Sequence, residues 1–390
     1  MPTKTDLPPA AISDPFVPDW AGLAALAPSA LSAAAGAIVA APLPAVNTTL
    51  VSPAGFDPFD DDGPGSPPRR LTHLRTQPSG ELRIDDGRTR LVELDRPAVV
   101  SAAQLAALRP YAGVRVPFGA GAGPVELAGL LRQLLVGGVP VLAPDLPLVV
   151  RRLLGTELGG LVAGLTKATL ADPDRRERWS VAARRAALRS ATSAAGVASS
   201  PPSVTAVVPP GDRALARDLR RQTWPALTVR VASGAVERRR ALESCETELV
   251  TLPASGLSYA AEHIEDLVLG RGYGQRPLSG AVVRRTYLPA LDVTVRAAGS
   301  GAGERPATVL TAATVLGSPA DLLRLGVDSL EDASATVDVG DDGYAIHDLG
   351  VQRVVRDAAG VEAALRAGGR QLVGTGRVDP GYASYFARTA

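Results

Sequence analysis

Three short stretches of this chain close hydrophobic runs with the small and polar residues that commonly line ligand sites: Pro209–Asp212, Ser233–Gly234 and Pro253–Leu257. Each follows a strand-like run, VTAVV, LTVRV and TELVTL respectively. In an open sheet of parallel strands, ligands bind outside the carboxyl ends of the strands. The segment SVTAVVPPGDRALARDLRRQTWPALTVRVASGA (203–235) reads as strand, loop, helix and strand, a unit that often opens a nucleotide-binding domain. Pro209, Gly211, Asp212, Ser233 and Ser255 are therefore the candidate nucleotide-contacting positions. Among them only Asp212 carries a charge, and the second strand closes on Ala232-Ser233-Gly234 with no carboxylate at all. A hard divalent cation takes several oxygen ligands, with carboxylates prominent among them. These strand ends supply too few, and no metal ligand is assigned.

Other constellations carry less chemistry. Gly119, Gly121 and Gly123 lie between a strand-like GVRVPF and a helical VELAGLLRQLLVGG, where a phosphate could rest on the helix N-terminus. Pro124 breaks the G-x-G-x-x-G spacing, so the alternation speaks for a Rossmann-like half-domain more than for a ligand. Asp57, Asp60, Asp61 and Asp62 lack the offsets of an EF-hand and read as a solvated acidic loop. His73, His263 and His347 are far apart in sequence, without metal-ligand spacing. The single cysteine, Cys245, excludes an internal disulfide and a thiolate zinc cage, and reads as a small half-buried residue in a helix.

The elements that must hold these residues alternate between strand and helix, which gives an α/β fold class with a mainly parallel sheet in the second half. The expected organisation is an Ala/Pro-rich arm over 1–45, a Rossmann-like domain over 46–196, a linker VASSPPS over 197–203 and a second domain over 204–390. Asp172 and Pro173 read as N-cap and first residue of a long Arg-rich helix whose basic face is expected to be solvated. YAAEHIEDLVLGRGY (259–273) and SPADLLRLG (318–326) read as helices, and GYAIHDLGVQRVVR (343–356) as strand. The composition is globular, with 46% apolar and 21% charged residues. A net charge of +1 and 4% aromatic residues argue against nucleic acid as a partner. Residues 21–46 are apolar but alanine-dominated and interrupted by Pro28, Pro42 and Pro44, and no basic region precedes them, so no membrane span is expected.

The segment 202–234 resembles the opening of a family 2 glycosyltransferase domain of the GT-A fold (nucleotide-diphospho-sugar transferase), with Gln222-Thr223-Trp224-Pro225 its most specific part. LLVGGVPVLAPDLP and ADPDRRERWSVAARRAALR resemble the C-terminal half of a GT-B glycosyltransferase of the spore-maturation type. SYAAEHIEDLVLGRGY, YLPALDVTV and YAIHDLGVQRVVR resemble later blocks of the same group, so the likeness spans about residues 46–385. Actinobacterial glycosyltransferases join the two pieces in this order. The resemblance implies a transferase of cell-surface glycan synthesis, taking a nucleotide sugar and a glycan or protein acceptor, with Mg or Mn as the metal. By position the metal-holding aspartates of that family fall on Ala254, Ser255, Gly256 and Leu257, none of which carries a carboxylate. The expectation is therefore no metal cofactor, with Arg213, Arg284 or Arg285 as candidates to neutralise the departing diphosphate. The family's acceptor-activating acid maps best onto Asp328, with Asp332 behind it, and the alternative for Asp328 is a helix N-cap. His347 aligns with a family histidine, or is a buried hydrogen-bonded one. Two functions stay open: a transferase working without a carboxylate-held metal, and an inactive pseudo-glycosyltransferase serving as scaffold or binding partner, for instance paired with another glycosyltransferase. A purely structural assembly component is a third, weaker option. The expected location is cytoplasmic, extending to the inner face of the membrane.

Overall fold

The computed structural model describes residues 70–77, 81–94, 100–108, 110–117, 123–171, 173–194, 201–274, 276–296, 304–366 and 370–373. The arm over 1–45, the apolar stretch 21–46, the acidic loop 57–62, Gly119, Gly121 and Asp172 lie outside them. The fold is α/β with mixed sheets. By contacts the described chain forms two compact units, one within 69–134 and 139–165, the other within 135–138 and 166–390. This boundary is upstream of the 197–203 stretch.

In the first unit β1 (Leu71–Thr76), β2 (Leu82–Asp85) and β3 (Arg90–Leu94) form an antiparallel meander. After helix α1 (Ala102–Leu108), β4 (Gly113–Arg115) joins β1 in parallel. Helix α2 (Pro124–Val136) then leads to β5 (Val141–Leu142), which is parallel to β4. The order is β3-β2-β1-β4-β5. Helices α3 (Leu148–Leu153) and α4 (Thr156–Gly164) close the unit.

The second unit begins with α5 (Lys167–Ala171) and the long α6 (Pro173–Ala194). Strand β6 (Val204–Val208) is buried along its whole length, as a central strand covered on both faces must be. It is followed by α7 (Arg213–Arg220), β7 (Leu227–Val231), α8 (Gly234–Glu243) and β8 (Leu249–Thr251). Next come β9 (Leu257–Tyr259), α9 (His263–Gly274), β10 (Leu278–Ala281), β11 (Arg285–Leu288), β12 (Val293–Arg296), β13 (Arg305–Pro306), β14 (Val309–Thr311) and β15 (Leu316–Gly317). Helix α10 (Pro319–Arg324), β16 (Thr336–Asp338), β17 (Gly343–Ile346), β18 (Val351–Val354), α11 (Ala358–Arg366) and β19 (Arg370–Val373) complete it. Local chemistry starts the helices. Ser318 accepts from the Asp321 N–H at 3.2 Å with Pro319 at the first position of α10, and Asp212 caps α7.

The main sheet runs β13-β17-β10-β15-β8-β6-β7. It is mixed, not mainly parallel: β7, β6 and β8 are mutually parallel, but β15 is antiparallel to both its neighbours. The two-residue β15 is reached through a tight 3-10 turn (Ala312–Thr314), not through a helical crossover, so nothing forces it to run with the others. A second sheet has the order β19-β12-β11-β18-β9. The 343–356 stretch is two strands in different sheets, split by a 3-10 turn at Asp348–Gly350. Helix α9 starts at His263, four residues later than its pattern suggests, because Leu257–Tyr259 pairs with Val351–Arg353 as a strand edge.

Between the main sheet and its helices lies a core built on Val207, Val250, Leu278, Leu310, Val315 and Leu322. Gly343 begins β17 where the chain is too close for any side chain, since a Cβ there would land on the carbonyl of Ala307 and the side chain of Val339. Gly343→Ala is expected to cost about 1–3 kcal/mol, because backbone cannot yield as a flexible side chain can. A thermal melt against wild type measures it.

Candidate functional site

The strand order β7-β6-β8 reverses direction of growth at β6, so the carboxyl ends of these strands form a topological switch point. From β6 the chain leaves through Pro209 and Pro210 to Gly211, whose φ of 82° is a left-handed conformation that favours glycine. A Cβ at Gly211 would meet nothing within 4 Å, so the backbone there borders open space. Asp212 follows, and its Oδ1 accepts from the N–H groups of Ala214 at 2.9 Å and Leu215 at 3.0 Å. Partial burial opposes its charge, but the Leu215 N–H, the Ser255 hydroxyl and the Ala214 N–H outweigh it, and Arg356 adds its field. The carboxyl is held below its ordinary range and is ionised at neutral pH.

The structure thus joins two of the predicted positions directly, Asp212 and Ser255, across the ends of β6 and β8. Ser233 stands at the end of β7 as the N-cap of α8, and its N–H and hydroxyl both donate to Glu237 at 2.7 Å. Pro209 is half-buried beside them.

The stretch where the resemblance would put metal ligands is built for other duties. Ala254 is buried, and its N–H donates to the Tyr259 hydroxyl at 3.1 Å, which in turn donates to the Ala313 carbonyl at 3.2 Å. Burial raises the Tyr259 phenol far above its usual range, so it stays a neutral brace. Gly256 has φ 85°, and Leu257 is buried in β9. Residues 254–257 carry no carboxylate, and the Asp212 carboxylate that meets Ser255 already accepts from the Ala214 and Leu215 N–H groups, so a magnesium or manganese ion does not fit these residues. Among the described residues, no group of three or more His, Cys, Asp or Glu is arranged to hold a metal.

Asp328 lies in a 3-10 turn (Val327–Ser329) packed on α8, with Gly326 in the cap position. Among the described residues it caps no helix and its Oδ1 is buried without a hydrogen-bond partner, and the residue is 5% exposed. The chain just beyond it crosses the switch point. Glu331 Oε1 lies 4.0 Å from where a Cβ at Gly234 would sit, and the Ala333 Cβ 3.8 Å from one at Gly256. Arg238 holds this crossing segment by donating to the Leu330 carbonyl at 3.1 Å.

Of the arginines suggested for diphosphate, Arg285 is committed elsewhere: it is buried and pairs with Asp348 at 3.2 Å. Arg213 is exposed and Arg284 half-buried. Arg356 and Glu331, which sequence reading did not single out, do reach the edge. They come from segments more than seventy residues past β8, and no local signal marks them. Cys245 follows the end of α8, half-buried, with its sulfur 3.0 Å from Thr247 Oγ1.

The basic helix α6 departs from its expected solvation. Arg185 forms a two-pronged bond to Asp266 of α9, 2.6 Å on both arms, with both side chains buried. Arg184 pairs with buried Glu304, and Arg189 with Glu265, which also accepts from Thr223 Oγ1 at 2.7 Å. His347, at the break between β17 and β18, has Nε2 3.4 Å from Asp266, so the buried reading of this histidine holds. This ionic cluster sits inside the second unit and ties α6 to α9.

No protein-family model matches the sequence, and no curated protein matches it. Among the described residues, no helix is long and apolar enough to cross a membrane.

Proposed function

We propose that the second unit is a GT-A-like nucleotide-sugar domain, preceded by a Rossmann-like half-domain, in a degenerate glycosyltransferase of cell-surface glycan synthesis acting at the cytoplasmic side. On this reading it binds a nucleotide sugar without a carboxylate-held metal. The observation that carries the reading is the switch point itself. Gly211 opens onto free space, Asp212 and Ser255 bridge two strand ends, and Arg356 supplies positive charge. A diphosphate leaving group gains negative charge as it departs, and a nearby guanidinium can stabilise that charge.

A second reading, an inactive relative that scaffolds or binds a partner, is favoured by one feature. The Glu331–Ala333 segment runs over Gly234 and Gly256, and Asp328 is enclosed. A base must reach its hydroxyl within hydrogen-bond distance, and an enclosed carboxylate does so only if the turn opens.

Calorimetric titration with nucleotide sugars and nucleoside diphosphates, with and without manganese, separates these readings. Binding of one nucleotide irrespective of manganese, weakened about tenfold by Arg356→Ala, is expected if a single charge-assisted contact to phosphate is lost. Manganese-dependent binding overturns the metal-free site. Absence of binding to any nucleotide leaves the scaffold reading.

A further inference from the structure

Among the described residues, the buried arginines have partners, with one exception. Arg184, Arg185 and Arg285 pair with carboxylates, Arg176 donates to the Leu170 carbonyl, and Arg238 to that of Leu330. Arg132 of α2 is 2% exposed, yet its Nε and Nη2 are buried with no hydrogen-bond partner, and among the described residues no carboxylate pairs with it. Of its three guanidinium nitrogens only Nη1 escapes that enclosure, although residues 130–134 are all buried. Gln133 next to it is already used, accepting from the Val100 N–H at 2.8 Å and donating to the Gly129 carbonyl at 3.2 Å.

Burial alone pulls the Arg132 guanidinium down to about 10, with no neighbouring charge holding it up. It therefore remains protonated at neutral pH, and a buried cation without a counter-charge is strongly unfavourable. Fold stability alone would favour an apolar side chain at this place. The guanidinium fork matches one chemistry best, an oxyanion presenting two oxygens side by side.

We infer that Arg132 receives an oxyanion, a phosphate or carboxylate group of a ligand bound in the first unit. This site is independent of the switch point in the second unit, and it stands whether or not the nucleotide-sugar reading does. An anion bound only to the folded state raises its stability by mass action.

The test is a thermal melt of the full chain in inorganic phosphate, pyrophosphate or acetate, each at fixed ionic strength against chloride. A saturable rise in Tm is expected with one anion class, roughly 5–10 °C at a hundred times Kd. Phosphate or pyrophosphate as the active arm identifies a phosphate ligand, and acetate a carboxylate. Arg132→Met is expected to abolish the rise while melting at or above wild type in chloride, and Arg132→Lys to keep part of the rise. No response beyond chloride in wild type overturns the inference, as does an equal response in Arg132→Met. A lower melting point of Arg132→Met in chloride also overturns it, because the guanidinium would then have an internal partner.

Discussion

Arg185→Met is expected to destabilise the second unit by about 3–5 kcal/mol, the usual loss when one half of a buried ion pair is removed. Both partners are enclosed, with side-chain exposures of 5% and 6%, so Asp266 cannot recover its hydration when the guanidinium goes. Burial by itself would raise the Asp266 carboxyl. Arg185 and then His347 outweigh it, and the group is held well below the ordinary carboxylate range. Its folded pKa is depressed, so its contribution is present above the unfolded value near 3.9 and is lost as pH falls below that. The double variant Arg185→Met with Asp266→Leu should recover most of the loss, since replacing both charges by apolar groups is often neutral. Urea denaturation at pH 7 of the two variants and wild type reads this directly. A single-variant loss under about 1 kcal/mol would mean that water reaches Asp266, and that α6 is not anchored by this pair.

The strength of that anchor was hidden in the sequence, and the reason is distance along the chain. Arg185 and Asp266 are separated by 81 residues, and nothing local to VAARRAALR announces that its charges meet acids on another helix. Its flanking alanines and valine were the available hint, because a basic residue between apolar neighbours at helical spacing faces inward with them. Elements set by local chemistry were legible: the strand of β6 and the Ser318-Pro319 start of α10, whereas Asp212, read as a strand-end ligand contact, also caps α7. Sheet order was not, because pairing is decided by remote partners. The insertion of β15 between β8 and β10 and the division of 343–356 between two sheets follow from packing that no window of sequence contains. The site divides the same way. Asp212 and Ser255 were readable as strand ends, whereas Arg356, Glu331 and the enclosure of Asp328 depend on where later segments come to rest.

Stability is expected to fall by on the order of 3 kcal/mol between pH 6.5 and pH 4 on account of one side chain, His263. Its ring is buried, tilted 48° against the Tyr259 ring at 5.1 Å between centroids, and among the described residues neither ring nitrogen has a hydrogen-bond partner. Gly350 packs against it so closely that a Cβ there would lie 3.1 Å from Nδ1, which leaves no room for a solvating water on that side. Burial pushes the imidazole down to about 4, His347 pushes the same way, and Asp266 opposes them. An unfolded chain takes up this proton near pH 6.5, while the folded chain refuses it until about pH 4. Across that window the unfolded state binds more protons, so stability declines as pH falls, by about 1.4 kcal/mol per pH unit at full slope. Glu262 acts in the opposite sense: burial raises its carboxyl, so the folded state gains relative stability as pH falls through its folded value. The clean measurement is therefore a difference, urea denaturation of wild type and His263→Leu from pH 7 to pH 4. The leucine variant should lose about one proton's worth of slope and become the more stable protein toward pH 5, having also removed two unpartnered ring nitrogens. Parallel curves would show that His263 finds a proton partner in the folded state. Because Asp266 acts only below the unfolded carboxylate range, the two effects occupy separate pH windows, and the ionic anchor of α6 can be judged apart from the histidine behind it.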